Sequence, residues 1–293
     1  MKKILYYLSI SIILTTIPYS KNVFSKSLDS DATIDGRWRG ITLCKWDIEH
    51  WGGGEYELGN GKFSGVLDFS IITDNGEKKL KGKRFVNFGD RTSKILSYTI
   101  KKNTLSVEDQ APWDDESYIW KGKLITDNRI EFKNSNGCKS TVYRTEEISF
   151  DSYSPRNLLD YVDGVENDEK YTIPGLLTFP DDNQEKYPVM IMVMNSGCGL
   201  YKREFTNGVD IKKVGVATLE MDNCKPRGLS VFNPIGAGNF NILNPWMGAA
   251  DVLFALKFLQ NHPKVDPDKI GIMGFSWGGQ VTMWSGLDLI RKT

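Results

Sequence analysis

Near residue 149 the spacing of apolar side chains changes from every second position to unbroken runs, so the chain must build two kinds of β structure in succession. Before the change, over residues 36–144, Leu67, Phe69 and Ile71 alternate with Asp68 and Ser70. Tyr98 and Ile100 alternate with Thr99 and Lys101, and Ile130 and Phe132 with Glu131 and Lys133. Each segment gives a strand one apolar face. Asp74-Asn75-Gly76, Lys102-Asn103 and Asp127-Asn128 fall between such runs as hairpin turns. The pattern predicts a small antiparallel all-β domain over residues 34–148, followed by a linker at 149–157 (SFDSYSPRN). Its Trp38, Trp46, Trp51, Trp113 and Trp120 are read as core before they are read as a glycan-binding or lipid-binding surface, because aromatics dominate the cores of small β domains.

Beyond the change, residues 187–194 (YPVMIMVM), 214–221 and 269–273 (KIGIM) are strands suited to burial on both faces of a parallel sheet. Helices are expected between them, at about 202–213 and 246–261. Strands alternating with helices predict a mostly parallel sheet with flanking helices over residues 158–293. Directly after KIGIM comes Gly274-Phe275-Ser276-Trp277-Gly278, a G-x-S-x-G, and then a helix-like segment. The bare pattern arises readily by chance, and the context sharpens it. A strand-to-helix turn with flanking glycines allows the tight backbone that lifts a serine hydroxyl above a sheet. The helix N-terminus then aims free N–H groups at the site, and that of Trp277 is placed to stabilise an oxyanion.

From Glu169 onward the chain resembles the α/β-hydrolase superfamily, and within it the dienelactone hydrolase-like family. The resemblance lies in IPGLLTFP ahead of YPVMIMVM, in the loop Asn195-Ser196-Gly197-Cys198-Gly199, in DNCKPRG at 222–228, and in NHPKVDPDKIGIMGFSWGG leading into the turn. It implies an α/β-hydrolase fold, partial here, that cleaves esters, lactones or other small acyl substrates without metal or organic cofactor. Ser276 matches the nucleophile, and the backbone N–H groups of Trp277 and Gly197 match the oxyanion donors. This chain departs from the pattern twice. The family's oxyanion loop opens on His-Gly, whereas this one opens on Asn195-Ser196. The fold also orders its triad as nucleophile, acid, His. Only 293 − 276 = 17 residues follow Ser276, so the chain is expected to stop before its acid and His and to be inactive alone.

Neither of the two histidines is expected to replace the missing one. His262 precedes the strand that ends at the elbow and so belongs at the opposite end of the sheet, and His50 lies in the β domain. Asp222, Asp251 and Asp288 are read as structural.

Residues 1–25 carry Lys2 and Lys3, an apolar stretch over 4–17 and Val23-Phe24-Ser25, the pattern of a signal peptide. The apolar stretch holds Ser9, Ser11, Thr15 and Thr16 and is too short for a membrane span of about 20 residues. An exported (periplasmic or secreted) protein is expected, with no membrane association beyond export. Lys+Arg 37 against Asp+Glu 37 leaves no positive field to gather nucleic acid. In an oxidising compartment the four cysteines suggest up to two disulfides, and the sequence alone allows three pairings. In the hydrolase sheet the strands before Cys198 and Cys224 are neighbours, so the resemblance implies a Cys198–Cys224 bridge bracing the oxyanion loop, which leaves Cys44 with Cys138. No residue set suggests a zinc site. The expected function is an exported serine hydrolase of the dienelactone hydrolase-like type, taking a small-molecule acyl substrate. The alternative is a non-catalytic exported protein with a degraded hydrolase half, whose β domain binds a ligand of unknown kind.

Overall fold

The computed structural model describes residues 33–44, 57–58, 61–81, 86–88, 91–110, 115–155, 157, 160, 169–182, 184–198, 208 and 211–286. The expected signal peptide, His50, Trp46, Trp51, Trp113 and Asp288 lie outside them. The strands are β1 Gly36–Cys44, β2 Glu57–Leu58, β3 Gly61–Asp74, β4 Glu77–Lys81, β5 Val86–Phe88, β6 Arg91–Thr92, β7 Lys94–Lys101, β8 Thr104–Gln110, β9 Ser117–Thr126, β10 Arg129–Asn134 and β11 Lys139–Tyr153, followed by β12 Lys170–Thr178, β13 Tyr187–Val193, β14 Ala217–Met221 and β15 Val265–Gly274. Two helices, α1 Pro245–Gln260 and α2 Trp277–Ser285, flank β15 in sequence. Of the helix expected at 202–213, the described residues Gly208 and 211–213 are helical.

The first eleven strands pair antiparallel, joined at the turns read from the sequence. At the β3–β4 turn Asn75 and Gly76 take φ 52° and 82°, the left-handed pair a two-residue hairpin needs. Alternation buries Trp38, Leu67, Phe69, Val107, Trp120, Leu124, Ile130 and Phe132 in one cluster, so Trp38 and Trp120 are core. A second cluster gathers Ile173, Leu177, Ile191, Leu219, Val252, Leu259 and Trp277 between β12–β15 and the helices.

The expected linker is corrected by the structure. Ser149 to Tyr153 are the second half of β11, paired residue for residue with β12 from Tyr153↔Lys170 to Thr145↔Thr178. The first half of the same strand pairs with β1 and β10. One sheet therefore runs β15-β13-β14-β12-β11-β1-β3, and the parts read as separate domains share a strand. Phe150 and Ser152 fill the buried face here, and the serine hid the alternation.

Charge also crosses the junction. Arg39 on β1 pairs with Glu220 on β14, both nearly buried. Lys212 donates to Thr218 Oγ1 at 3.1 Å, and burial lowers its pKa to about 8 although Glu220 draws it back up.

Asp109 on β8 is a further buried charge, 2% exposed, accepting from Trp120 Nε1 at 2.9 Å. Desolvation raises its pKa to about 6, with hydrogen bonds from Ser93 and Trp120 holding it down from higher still. A carboxyl with its folded pKa above its unfolded one binds more protons folded. Stability is therefore expected to fall as pH rises from about 4 to 6, by at most about 3 kcal/mol. Asp109→Asn should remove that slope and raise the melting temperature at pH 7.5, measured by thermal melts across pH 4–8. Parallel slopes for both proteins would contradict it.

Candidate active site

β13 pairs parallel with β14 on one side and with β15 on the other, so the loops after all three strands emerge at one edge of the sheet. In open α/β sheets that edge, where the strand order reverses, is where ligands bind. The described segment after β13 is residues 194–198, that after β15 is the turn into α2, and that after β14 is residues 222–244.

The G-x-S-x-G is the strand-to-helix turn expected. Ser276 sits between Gly274, the last residue of β15, and α2, with φ 55° and ψ −119°. A side-chain-bearing residue rarely adopts that backbone, at a cost of about 1–3 kcal/mol, and such strain collects at functional positions. The side chain is exposed while Trp277 and Gly278 behind it are buried. The glycines are required by contact. A Cβ on Gly278 would stand 2.5 Å from Met194 O and 2.6 Å from Val193 O, and one on Gly274 would overlap the Gly278 carbonyl. α2 thus lies directly on the end of β13, where only hydrogen fits. As the first residue of α2, Trp277 has a backbone N–H ahead of the intrahelical ladder.

The loop after β13 reaches the same edge but differs from the resemblance. Gly197 N–H donates to Asn195 Oδ1 at 2.8 Å, an Asx turn, so it is not the free oxyanion donor the family pattern implied. Asn195 thus closes its own loop. Cys198, at φ 55°, is bonded to Cys224 with Cα atoms 5.6 Å apart, joining the loops after β13 and β14 as expected. Cys138 is also in a disulfide, and the side chain of Cys44, its expected partner, lies outside the described residues.

Among the described residues, His262 and Asp222 make local structural contacts. His262, the one histidine among the described residues, follows α1 and stacks on Phe179 with ring centroids 5.7 Å apart, its Nε2 lying 3.3 Å from Glu146 Oε2. From there β15 runs to Gly274 over a length of about 30 Å, so His262 stands at the far end of the sheet from Ser276. Asp222 Oδ1 accepts from the N–H groups of Cys224 and Lys225 at 3.1 and 3.0 Å, closing the turn after β14. Among the described residues no three His, Cys, Asp or Glu side chains gather as a metal-ligand set, and no helix is long and apolar enough to cross a membrane.

Missed in the sequence was the polar knot beneath this edge. Arg227 donates to both oxygens of Asp251 at 2.9 and 3.0 Å, both side chains 0% exposed. Its other N–H groups reach Ser154 Oγ and Asn223 O, and the guanidinium lies 4.5 Å over the Tyr171 ring. Asn223 Nδ2 adds a 2.6 Å bond to Asp251. The segments after β11 and β14, strand β12 and helix α1 are thereby fastened together.

No family model matches the chain, and no curated protein matches it. Several solved structures are similar to it in part. Est1E from Butyrivibrio proteoclasticus is 19% identical, with 39% of this chain and 40% of that one covered at a TM-score of 0.31. A dienelactone hydrolase-like promiscuous phosphotriesterase from metagenomic libraries is 15% identical, covering 48% and 53% at 0.35. A dienelactone hydrolase from Anabaena variabilis is 18% identical, covering 48% and 56% at 0.32. The chain spans about half the length, or less, of these dienelactone hydrolase-like and other structures to which it is similar.

Proposed function

We propose that the protein is a serine hydrolase acting on small acyl substrates, exported by the signal-like residues 1–25, with Ser276 as its nucleophile. The observation that carries this reading is the backbone of Ser276, φ 55° and ψ −119°, held between the half-buried end of β15 and a helix N-terminus with the side chain exposed. A strained, solvent-facing serine serves no packing purpose, and it suits attack on a carbonyl.

In the proposed reaction Ser276 Oγ bonds to the substrate's acyl carbon while a base takes its proton, and the tetrahedral oxyanion faces the N–H of Trp277 and the dipole of α2. A second donor is proposed from the loop 195–198, other than the N–H of Gly197. Collapse expels the alcohol, which takes up the proton, and water then releases the acid. The proton acceptor is proposed to lie outside the described residues, since His262 is remote from the elbow.

Hydrolysis of 4-nitrophenyl acetate by the protein isolated from its source tests this. Ser276→Ala is expected to lower kcat by about 10⁴-fold or more. Equal turnover by the variant would refute the assignment.

A further inference from the structure

Beyond Asp222, Lys225 and Arg227, the rest of the segment after β14, residues 228–244, carries no charged side chain, in a chain that is 25% charged. Its structure is held on both sides. Leu229, Ile235 and Leu243 are buried in the core that also contains Trp277 and Cys198. Ser230 and Asn233 form an isolated β-bridge, and Asn239 Nδ2 ties the segment to itself through Asn233 Oδ1 at 2.9 Å and Pro234 O at 2.8 Å. The Cys198–Cys224 disulfide lies at its base, and Gly236 N–H donates to Ser196 O at 2.9 Å. It is thus a strap attached to the very loop that flanks the elbow. Yet its outer side shows Val231, Phe232, Phe240 and Ile242 to solvent, Phe232 at 87% and Phe240 at 50%.

Exposing such side chains forgoes the free energy that burying them would gain. A strap this well anchored presents them in fixed positions, and apolar patches held in the open mark sites of contact. The loop bonded to Gly236 also meets α2, since a Cβ on Gly278 would abut Met194 O. The strap is thus linked through Ser196 to the loop that abuts the start of α2, the helix that follows Ser276.

Resting on the reading of Ser276 as nucleophile, we propose that residues 228–244 form an acyl-binding lip that selects esters whose acyl group is neutral and apolar, medium-chain or aromatic. With no cation in the strap, nothing there compensates a carboxylate on the substrate, whereas methylenes or a ring gain apolar contact against Phe232 and Phe240.

The test is binding of the neutral fluorescent probe N-phenyl-1-naphthylamine to the full chain. The wild type is expected to bind it, with methyl octanoate displacing it at concentrations where methyl acetate does not. Phe232→Ser/Phe240→Ser, changing two exposed side chains and so leaving the melting temperature unaltered, should weaken binding at least tenfold. Unchanged affinity in that variant, or no displacement by methyl octanoate, overturns the lip. Ser276→Ala should bind as wild type, which separates the lip from the nucleophile. An inert Ser276 in a protein that still binds through the strap would overturn the hydrolase reading instead.

Discussion

Asp251→Ala is expected to lower the free energy of unfolding by about 3–5 kcal/mol, because it leaves the Arg227 guanidinium charged, buried and without its counter-ion. The pair is fully enclosed, bidentate and shared with Asn223 and Ser154, so no water can take the carboxylate's place cheaply. The charge itself is not what the fold needs. Arg227→Met/Asp251→Leu should therefore recover much of the loss, and the two single changes should sum to more than the double by over 2 kcal/mol. Urea unfolding of the wild type, Asp251→Ala, Arg227→Met, Asp251→Leu and the double variant measures this. A single-variant cost below 1 kcal/mol would show that the knot is hydrated.

Gly278→Ala is expected to impair the site severely while leaving the nucleophile in place. Its Cβ would meet the backbone carbonyls of Val193 and Met194, which belong to the end of a buried strand and cannot turn aside. α2 must shift instead, taking Ser276 and the N–H of Trp277 with it. Overpacking of this kind costs about 1–3 kcal/mol, and a displacement near 1 Å costs about 100-fold in rate. Phosphonylation of Ser276 should slow by that factor while the far-UV circular dichroism keeps its native shape. Unaltered phosphonylation would mean that the turn is not under the constraint described.

Legibility of the fold followed how plainly each element wrote its burial into its letters. The hairpin turns and the unbroken strands were legible because turn residues and apolar runs need no partner to be recognised. The elbow was legible because Gly274, Ser276 and Gly278 fall where a strand must become a helix. Residues 149–153 were misread because Ser152 occupies a buried position on β11, so the period-two signal broke where the sheet continues. Arg39, Glu220, Lys212, Arg227 and Asp251 look like ordinary surface letters, and only tertiary pairing buries them, Arg39 and Glu220 being 181 residues apart. Gly197 was assigned by resemblance, and the loop's chemistry changed with one residue, since asparagine accepts from its own backbone. The strap left a readable signal in its lack of charge, which composition averaged over the whole chain conceals.

The proposed function requires Ser276 to be an activated nucleophile in the native protein. The most direct measurement is intact-mass and peptide-mass analysis of the protein from its source after treatment with an ethoxy fluorophosphonate. One phosphonyl group on the peptide containing Ser276, absent from Ser276→Ala and from heat-denatured protein, is the result predicted. A native protein that remains unmodified, or that is modified at another residue, would contradict it.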